Sequence, residues 1–285
     1  MTDNLTRAEL IGLGRRYLSA VVRHDPTAAA LHRDLRATEN GREIRPGEGY
    51  WRRIEGFAGE QFFVDQQTQQ VVMMGVAYHD SRPWPFALRL RIEGGAARES
   101  EVVVSTDAKG HFADVEQLLK PDILYDAPIP PSRAANREAL RAAADSYWEG
   151  LERSDGSIPR FHYRCDKFDN GAKTTNTLKT LLSPDATVHT CASALSHTRA
   201  ARPRARERRY PVLDTELGVA ASFVMVDFHP IPGSPRPDAG SFYMMGVFKV
   251  VDGELRVVDE IREILPLGAL SGWPSDTFSS RVPGQ

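Results

Sequence analysis

The sequence predicts an α+β protein made of two tandem copies of one small domain, each a long helix wrapped by a curved antiparallel sheet. Three observations lead to this prediction. The 285 residues are enough for two domains of ordinary size. The sequence resembles itself at a distance of 130 positions. In each half, a segment of helical periodicity precedes a run of short apolar segments that are typical of strands.

The self-similarity is strongest between residues 17–41 and 147–171, which align over 25 positions without a gap. Glu39 aligns with Asp169, and Leu31 with Phe161. Six pairs are identical: Tyr17/Tyr147, Arg23/Arg153, Asp25/Asp155, His32/His162, Asn40/Asn170 and Gly41/Gly171. After Gly41 the spacing drifts, which indicates insertions in loops.

A weaker match aligns residues 92–102 with 251–261, each of which is predicted as strand, glycine turn and strand. It places Glu101 opposite Glu260. Two unrelated hairpins with similar turns would give the same pattern, and this alternative stays open.

The first copy begins with a helix over 6–23, because apolar residues recur there at helical spacing. Thr6 and Glu9 are placed to form a capping box, and Asp25-Pro26 ends the helix. A short helix is predicted over 26–33. The predicted strands that follow are 35–40, 60–65, 70–79, 86–93 and 98–105.

The second copy repeats this plan, with a helix over 134–153 that is rich in alanine and leucine. Its predicted strands are 164–170, 208–213, 218–228, 241–251 and 255–264. We therefore expect a first repeat over 1–115, a proline-rich linker over 116–133 and a second repeat over 134–275.

Composition limits the classes of partner. The formal net charge is −2, so no overall field favours nucleic acid or an anionic membrane. No apolar run reaches the roughly 20 residues of a membrane helix, and the polar N-terminus has no signal-peptide core. We expect a cytoplasmic protein that binds a small molecule and forms a homo-oligomer.

Cys165 and Cys191 lack metal-ligand spacing. In a reducing compartment we expect two free, buried thiols, and a disulfide is the alternative. Nucleotide-binding glycine motifs, a nucleophile elbow and an H-E-x-x-H pair are missing from the sequence. An enzyme of this kind is expected to work without cofactor or metal, by general acid–base catalysis.

Several local motifs resemble a known superfamily. They are T-E-N-G in the first copy, C-D-K-F-D-N-G-A-K-T-T-N (165–176) in the second, and Val212-Leu213-Asp214 before a long apolar strand. The chain resembles the NTF2-like/SnoaL-like superfamily, with its cystatin-like α+β cone, and within it a twin-repeat family of uncharacterised bacterial and fungal proteins. The resemblance implies a blind apolar pocket in each cone. It also implies a range of chemistries, because the superfamily includes isomerases, dehydratases, cyclases, lyases and plain binders.

Strand alternation predicts the candidate catalytic residues. Cys165, Lys167 and Asp169 share one face, as Leu35, Ala37 and Glu39 do in the first copy, and the apolar members mark that face as inward. Asp169 is a candidate general base, and Lys167 a candidate oxyanion stabiliser or Schiff-base amine. A structural ion pair at the mouth of the cone is the alternative.

Further along, Asp227 and His229 share a strand face and could form an acid–base pair, and Tyr243 could donate a hydrogen bond to an oxyanion. The alternatives are a strand end in water and a capped core. The remaining candidates, for substrate binding, are Glu39, Tyr50, Trp51, Arg89, Tyr147 and Asn176. For Tyr50, Trp51 and Tyr147 the alternative is packing within the fold, and for Arg89 it is a position that faces solvent.

Residues 199–209 contain six arginines, which we interpret as a solvated loop. A clamp for an anion or a subunit contact is the alternative.

Two functions follow. The first is a cofactor-independent lyase, isomerase or dehydratase acting on a small apolar, aromatic molecule, for example by retro-aldol cleavage of lignin-derived aromatic dimers. The second is a non-catalytic small-molecule-binding or scaffold protein. The second copy has the richer polar set and is the expected catalytic cone.

Overall fold

The computed structural model describes residues 4–106, 113–120, 122–177, 190–230 and 238–274. Within these ranges it has two six-stranded sheets, each packed against one long helix. The predicted α+β class and the pair of cone-shaped units are confirmed.

The first repeat consists of α1 (Arg7–Val22), β1 (Leu31–Glu39), β2 (Arg42–Ile44), β3 (Gly56–Asp65), β4 (Gln70–His79), β5 (Arg82–Glu93) and β6 (Ala96–Val104). Its strand order is β2-β1-β6-β5-β4-β3, with β1 and β6 parallel and the other neighbours antiparallel. The predicted capping box of Thr6 and Glu9 is present. The predicted helix over 26–33 is wrong. Only Pro26–Ala28 forms a 3-10 turn, because Leu31 already pairs with Ala97 of β6.

The second repeat consists of α3 (Arg137–Arg153), β7 (Phe161–Asp169), β8 (Ala172–Lys173), α4 (Cys191–Ser196), β9 (Arg204–Asp214), β10 (Val219–Phe228), β11 (Gly240–Val251) and β12 (Glu254–Pro266). Its strand order, β8-β7-β12-β11-β10-β9, repeats the first. A short helix, α2 (Val115–Leu118), lies between the repeats in the chain.

The shift of 130 residues holds in three dimensions. It carries β1 onto β7. Asn40 and Asn170 both have a φ near +48°, and each begins the turn that follows its strand. The weaker hairpin alignment is off by one position. In the parallel pairs Glu39 lies opposite Val102, and Asp169 lies opposite Glu260, so Glu260 corresponds to Val102 and Glu101 to Asp259.

Each sheet is buried on both faces. The concave face of each packs on its own helix, whereas the two convex faces pack on each other and form a shared core between the repeats. Residues from both sheets contribute to this shared core, including Phe63, Met74, Val103, Phe223, Met245 and Val257.

At the edge of this interface, each repeat contributes a buried aspartate that accepts a hydrogen bond from the backbone of the other repeat. Asp214 accepts from the Val64 backbone N–H at 3.0 Å, and Asp65 accepts from the Leu213 N–H at 3.1 Å. The helix of the opposite repeat completes each contact, since Arg7 binds Asp214 and Arg137 binds Asp65. These contacts are reciprocal, as expected for two copies related by an approximate twofold axis.

Candidate functional site

A cluster of ionisable side chains lies on the concave face of the second sheet. Lys167 and Asp169 project from β7, and Glu260 projects from the adjacent β12, directly opposite Asp169. Helix α3 brings Tyr147 onto the same face. All four side chains are buried.

Short contacts connect these groups. The Lys167 ammonium lies 2.7 Å from Asp169 Oδ1 and 3.0 Å from Glu260 Oε2. The Tyr147 hydroxyl donates to Glu260 Oε1 at 2.8 Å. A second cation, Arg262, lies 3.3 Å from Asp169 Oδ1. Lys167 therefore bridges two carboxylates, and Asp169 lies between two cations.

The pKa values of Glu260 and Asp169 are shifted in opposite directions. Burial raises the pKa of Glu260 to about 7, and the Asp169 carboxylate adds to the rise, against the opposing effect of Lys167. Burial also disfavours the Asp169 anion, but Arg262 and Lys167 outweigh it and hold the pKa of Asp169 below its usual range. At neutral pH, Asp169 is a fixed anion and Glu260 is poised to exchange a proton.

Lys167 remains an ammonium. Burial lowers its pKa, but Asp169 and Glu260 together raise it above the ordinary value. A Schiff base needs a neutral amine, so this side chain is suited to holding negative charge rather than to attacking a carbonyl.

An aromatic surface adjoins the cluster. The Arg262 guanidinium lies over the Phe242 ring at 4.7 Å, and Phe242 stacks on Phe228 with ring centroids 4.3 Å apart. The side chains of Lys167 and Arg262 keep 10 % and 12 % of their surface exposed, whereas Glu260 keeps 2 %. A ligand would therefore meet the two cations and the aromatic rings first.

The first repeat has no comparable cluster among its described residues. The positions of Lys167, Glu260 and Arg262 are occupied there by Ala37, Val102 and Val104. Its concave face is filled by its own side chains, because the turn Gly49–Arg52 inserts Tyr50 and Trp51, both with at most 1 % exposure.

Hydroxyl groups complete the interior of the first cone. The Tyr17 hydroxyl lies 2.6 Å from that of Tyr50 and donates to Ser100 at 2.8 Å. Tyr50 and Trp51, predicted as substrate-binding residues, are thus core residues. Glu39 accepts a hydrogen bond from the Tyr50 N–H and pairs with Arg53, so it fixes this turn.

Three predicted catalytic residues lie apart from Lys167, and this corrects the expectation of one shared site. Asp227 and Tyr243 project from the convex face, on the side of Phe223 and Met225. Asp227 pairs with Arg206, and Tyr243 lies in the interface between the repeats. His229 follows the end of β10 and is half-buried.

The other candidates have structural contacts. Arg89 is buried in the interface between the repeats, where it binds Glu101. The Asn176 amide donates to the Cys165 carbonyl at 2.8 Å and holds the loop after β8 on β7. Tyr147, expected to bind substrate, lies in the cluster through its bond to Glu260.

Glu260 and Arg262 were not predicted as members of this site. The signal was present, because Val258, Glu260 and Arg262 alternate along β12 and share its concave face. The alignment that paired Glu260 with Glu101 concealed it, since those two residues lie on opposite faces of their sheets.

The arginine-rich segment is a strand rather than a solvated loop over most of its length. β9 begins at Arg204, and Arg209 is buried against Glu101 of the first repeat, so this contact lies within one chain and is not a subunit contact. The cysteines also differ from the main expectation. Cys165 and Cys191 form a disulfide that joins β7 to the start of α4.

Among the described residues, ligand atoms of Glu55, His79 and Asp80 lie within 4.8 Å of one another at a turn of the first repeat. This group is far from the Lys167 cluster in the chain and is partly held by a His79 contact to the Arg53 carbonyl. No helix in the described ranges has the length and hydropathy needed to cross a bilayer.

Comparison with solved structures finds similar folds over less than half of this chain. A proposed polyketide cyclase from Xanthomonas campestris is 17% identical, with 45% of this chain and 92% of that one covered and a TM-score of 0.34. An NTF2-like protein of unknown function from Cytophaga hutchinsonii is 13% identical, with 38% and 96% covered and a TM-score of 0.29. AclR from Streptomyces galilaeus, a proposed hydroxylase, is 11% identical, with 46% and 83% covered and a TM-score of 0.33.

No curated protein is significantly similar to the chain. A family profile, described as Domain of unknown function (DUF8021), matches residues 3–104 and 133–262, which include most of both repeats. The chain therefore belongs to the DUF8021 family, and the two matched ranges include the two α+β units described above.

Proposed function

We propose that the second repeat is an enzyme site and that the chain is a cofactor-independent lyase, isomerase or dehydratase for a small, apolar, aromatic substrate. The observation that carries the proposal is Glu260, a buried carboxyl with a pKa of about 7 that lies between Lys167 and Tyr147. A general base is most effective when its pKa is near the working pH. The first repeat has Val102 at this position.

The roles follow from the charges. Ionised Glu260 removes a proton from a carbon next to a carbonyl, or from a hydroxyl group, and the electron pair moves onto the substrate oxygen. Lys167 and Arg262 stabilise the resulting anion, and Asp169 holds both cations in place. The proton on Glu260 then returns to the substrate or its leaving group. This assigns the base to Glu260, whereas the sequence pointed to Asp169.

The aromatic character of the substrate is supported by the Phe242 and Phe228 rings beside Arg262. The first repeat supports a different role. Since Tyr50 and Trp51 fill its cone, it acts as a scaffold whose convex face supports the catalytic sheet. A chain that is only a binder or scaffold is the competing function.

The first experiment is a thermal-shift screen against phenolic dimers, polyketide-like aromatics and hydroxy-ketones without added cofactor. A compound that binds the folded state raises its midpoint by mass action. Stabilising compounds are then assayed for turnover as a function of pH. We expect activity to rise with an apparent pKa near 7.

The matched variants are Glu260→Gln and Asp259→Asn. Both carboxyls are buried with a pKa raised to about 7 and are adjacent on β12, but Asp259 faces the other repeat. Glu260→Gln should lower kcat by about 10²–10⁴-fold. Asp259→Asn should keep the rate and lower the apparent pKa only slightly, because the charges of Asp259 and Glu260 raise each other's pKa. Equal losses in both variants would contradict the assignment, and binding without turnover would favour the binder.

A further inference from the structure

An open cleft of about 1130 Å³ lies between the repeats, away from the Lys167 cluster. One wall belongs to the first repeat and contains Arg36 of β1, Arg89 and Arg91 of β5, and Arg98 of β6. The opposite wall belongs to the second repeat and contains Arg137 and Arg141 of α3 and Arg209 of β9. Neither repeat alone forms this space.

The cleft has more positive than negative charge. Its seven arginines are accompanied by two lining carboxylates, Glu93 and Glu99. Two further carboxylates behind the lining neutralise part of the charge: Glu101 pairs with Arg89 and Arg209, and Asp65 pairs with Arg137. Among the described residues, the guanidinium groups of the cleft therefore outnumber the carboxylates around them.

Two arginines lie over the same aromatic ring. The Arg36 and Arg89 guanidinium groups each lie 4.6 Å from the Trp273 ring. Trp273 is itself fixed by a hydrogen bond to Thr38 at 2.9 Å. Stacking orients a guanidinium plane and costs little of its capacity to donate hydrogen bonds. On the second wall, Arg141 lies over the Tyr210 ring at 5.3 Å.

We propose that this cleft binds a small polyanion, a molecule with at least two carboxylate or phosphate groups. Planar guanidinium groups match both kinds of group and bind them through paired hydrogen bonds. Arginines on both walls favour a ligand with several anionic groups rather than one. The volume of about 1130 Å³ is slightly above the roughly 300–1,000 Å³ that is typical of ligand pockets, so the cleft has room for a small molecule with several anionic groups.

The site is independent of the proposed acid–base chemistry. Its residues come from both repeats, whereas the Lys167 cluster comes from the second repeat alone. A test of anion binding in the cleft is therefore independent of a test of turnover at the Lys167 cluster.

The test is isothermal titration with inorganic pyrophosphate and with citrate, at constant ionic strength set by sodium chloride. We expect one molecule bound per chain. The double variant Arg36→Gln/Arg91→Gln should raise the Kd by about tenfold or more, because it removes two charge-assisted hydrogen-bond partners of the anion. Arg33→Gln is the matched control, because its side chain is 90% exposed on β1 and does not line the cleft.

The two anions distinguish the chemical sources, since binding of pyrophosphate alone indicates a phosphate ligand and binding of citrate alone a carboxylate ligand. Circular dichroism of each variant shows that its fold is retained. The proposal is overturned if neither anion binds at millimolar concentration, or if the double variant binds as tightly as the Arg33→Gln control.

Discussion

Glu101 connects the two repeats through a buried charge cluster, and its removal should be among the most destabilising single changes in the chain. Its carboxylate is fully buried and accepts hydrogen bonds from Arg89 Nε at 2.6 Å and Arg209 Nη1 at 2.9 Å, and from the Tyr243 hydroxyl. Arg89 belongs to the first repeat, and Arg209 and Tyr243 to the second. Glu101→Gln would leave both guanidinium groups without their shared anion.

The pKa of Glu101 gives the size of the expected loss in the free energy of unfolding. Burial disfavours the anion, but Arg209 and Arg89 outweigh it and lower the pKa from 4.5 to about 2. This lowering of the pKa corresponds to about 3–4 kcal/mol, because a change of one in pKa is worth about 1.4 kcal/mol. Breaking a buried ion pair by removing one partner typically costs about 3–5 kcal/mol, which agrees. We expect Glu101→Gln to lower the free energy of unfolding by about 3 kcal/mol at pH 7.

The control is Glu99→Gln, on the same strand and the same face. Glu99 pairs with Arg89 and Arg91, but its side chain is 21% exposed, so its removal should cost about 1 kcal/mol or less. Urea denaturation followed by circular dichroism measures both variants.

The pH dependence provides a second test. Because the folded pKa of Glu101 is below the unfolded value, its contribution is complete above about pH 4.5 and is lost as the pH falls toward 2. The difference between wild type and Glu101→Gln should shrink over that range. Equal costs for Glu101→Gln and Glu99→Gln, or a difference that does not change with pH, would refute this reasoning.

Three further predictions concern stability. Asp65→Ala should cost about 3 kcal/mol in urea denaturation, because it leaves the buried Leu213 N–H without its acceptor and Arg137 without its partner, whereas an exposed change such as Asp34→Ala should cost little. Asp259→Asn should stabilise the protein at pH 8 by about 2–4 kcal/mol and much less at pH 4. The reason is that the raised pKa of Asp259 in the folded state makes the wild-type free energy of unfolding fall as the pH rises from about 4 to about 7. If the variant's free energy of unfolding falls with pH as steeply as that of wild type, this prediction is contradicted. Cys165→Ser should lower the free energy of unfolding by about 3–4 kcal/mol under non-reducing conditions, from the 26-residue separation that the disulfide closes, and dithiothreitol should destabilise wild type but not the variant.

The disulfide also removes one basis for a cytoplasmic location. That expectation relied partly on free thiols, and disulfides persist mainly in oxidising compartments. A cytoplasmic location therefore stays a prediction, as does a homo-oligomer. The convex sheet faces, which could have paired two chains, are already buried against each other within one chain.

The candidate site was predictable in part. Lys167 and Asp169 stand two apart on one strand, and strand alternation requires them to share a face. Glu260 lies 93 residues from Lys167 in the chain, and only the parallel pairing of β7 with β12 brings the two within 3.0 Å. The same limit concealed the contact between Glu101 and Arg209, which lie 108 residues apart.

Asp227 and Tyr243 show why strand alternation alone could not predict the members of the site. Alternation tells which residues of a strand lie together, but a buried face is identified by its apolar residues. Here both faces of β10 and β11 are apolar, because one packs on α3 and the other on the first repeat. The sequence therefore could not distinguish the face that holds the cluster from the face that joins the repeats.

The sequence by itself determined the internal duplication, the two long helices, most strand positions and the paired Asn-Gly turns, since these depend on periodicity and on residues close in the chain. Only the tertiary structure decided which face of each sheet became the cone, which side chains filled the first cone, and which charges met. Those outcomes depend on strand register and on the packing of the two sheets, which bring together residues that are distant in sequence.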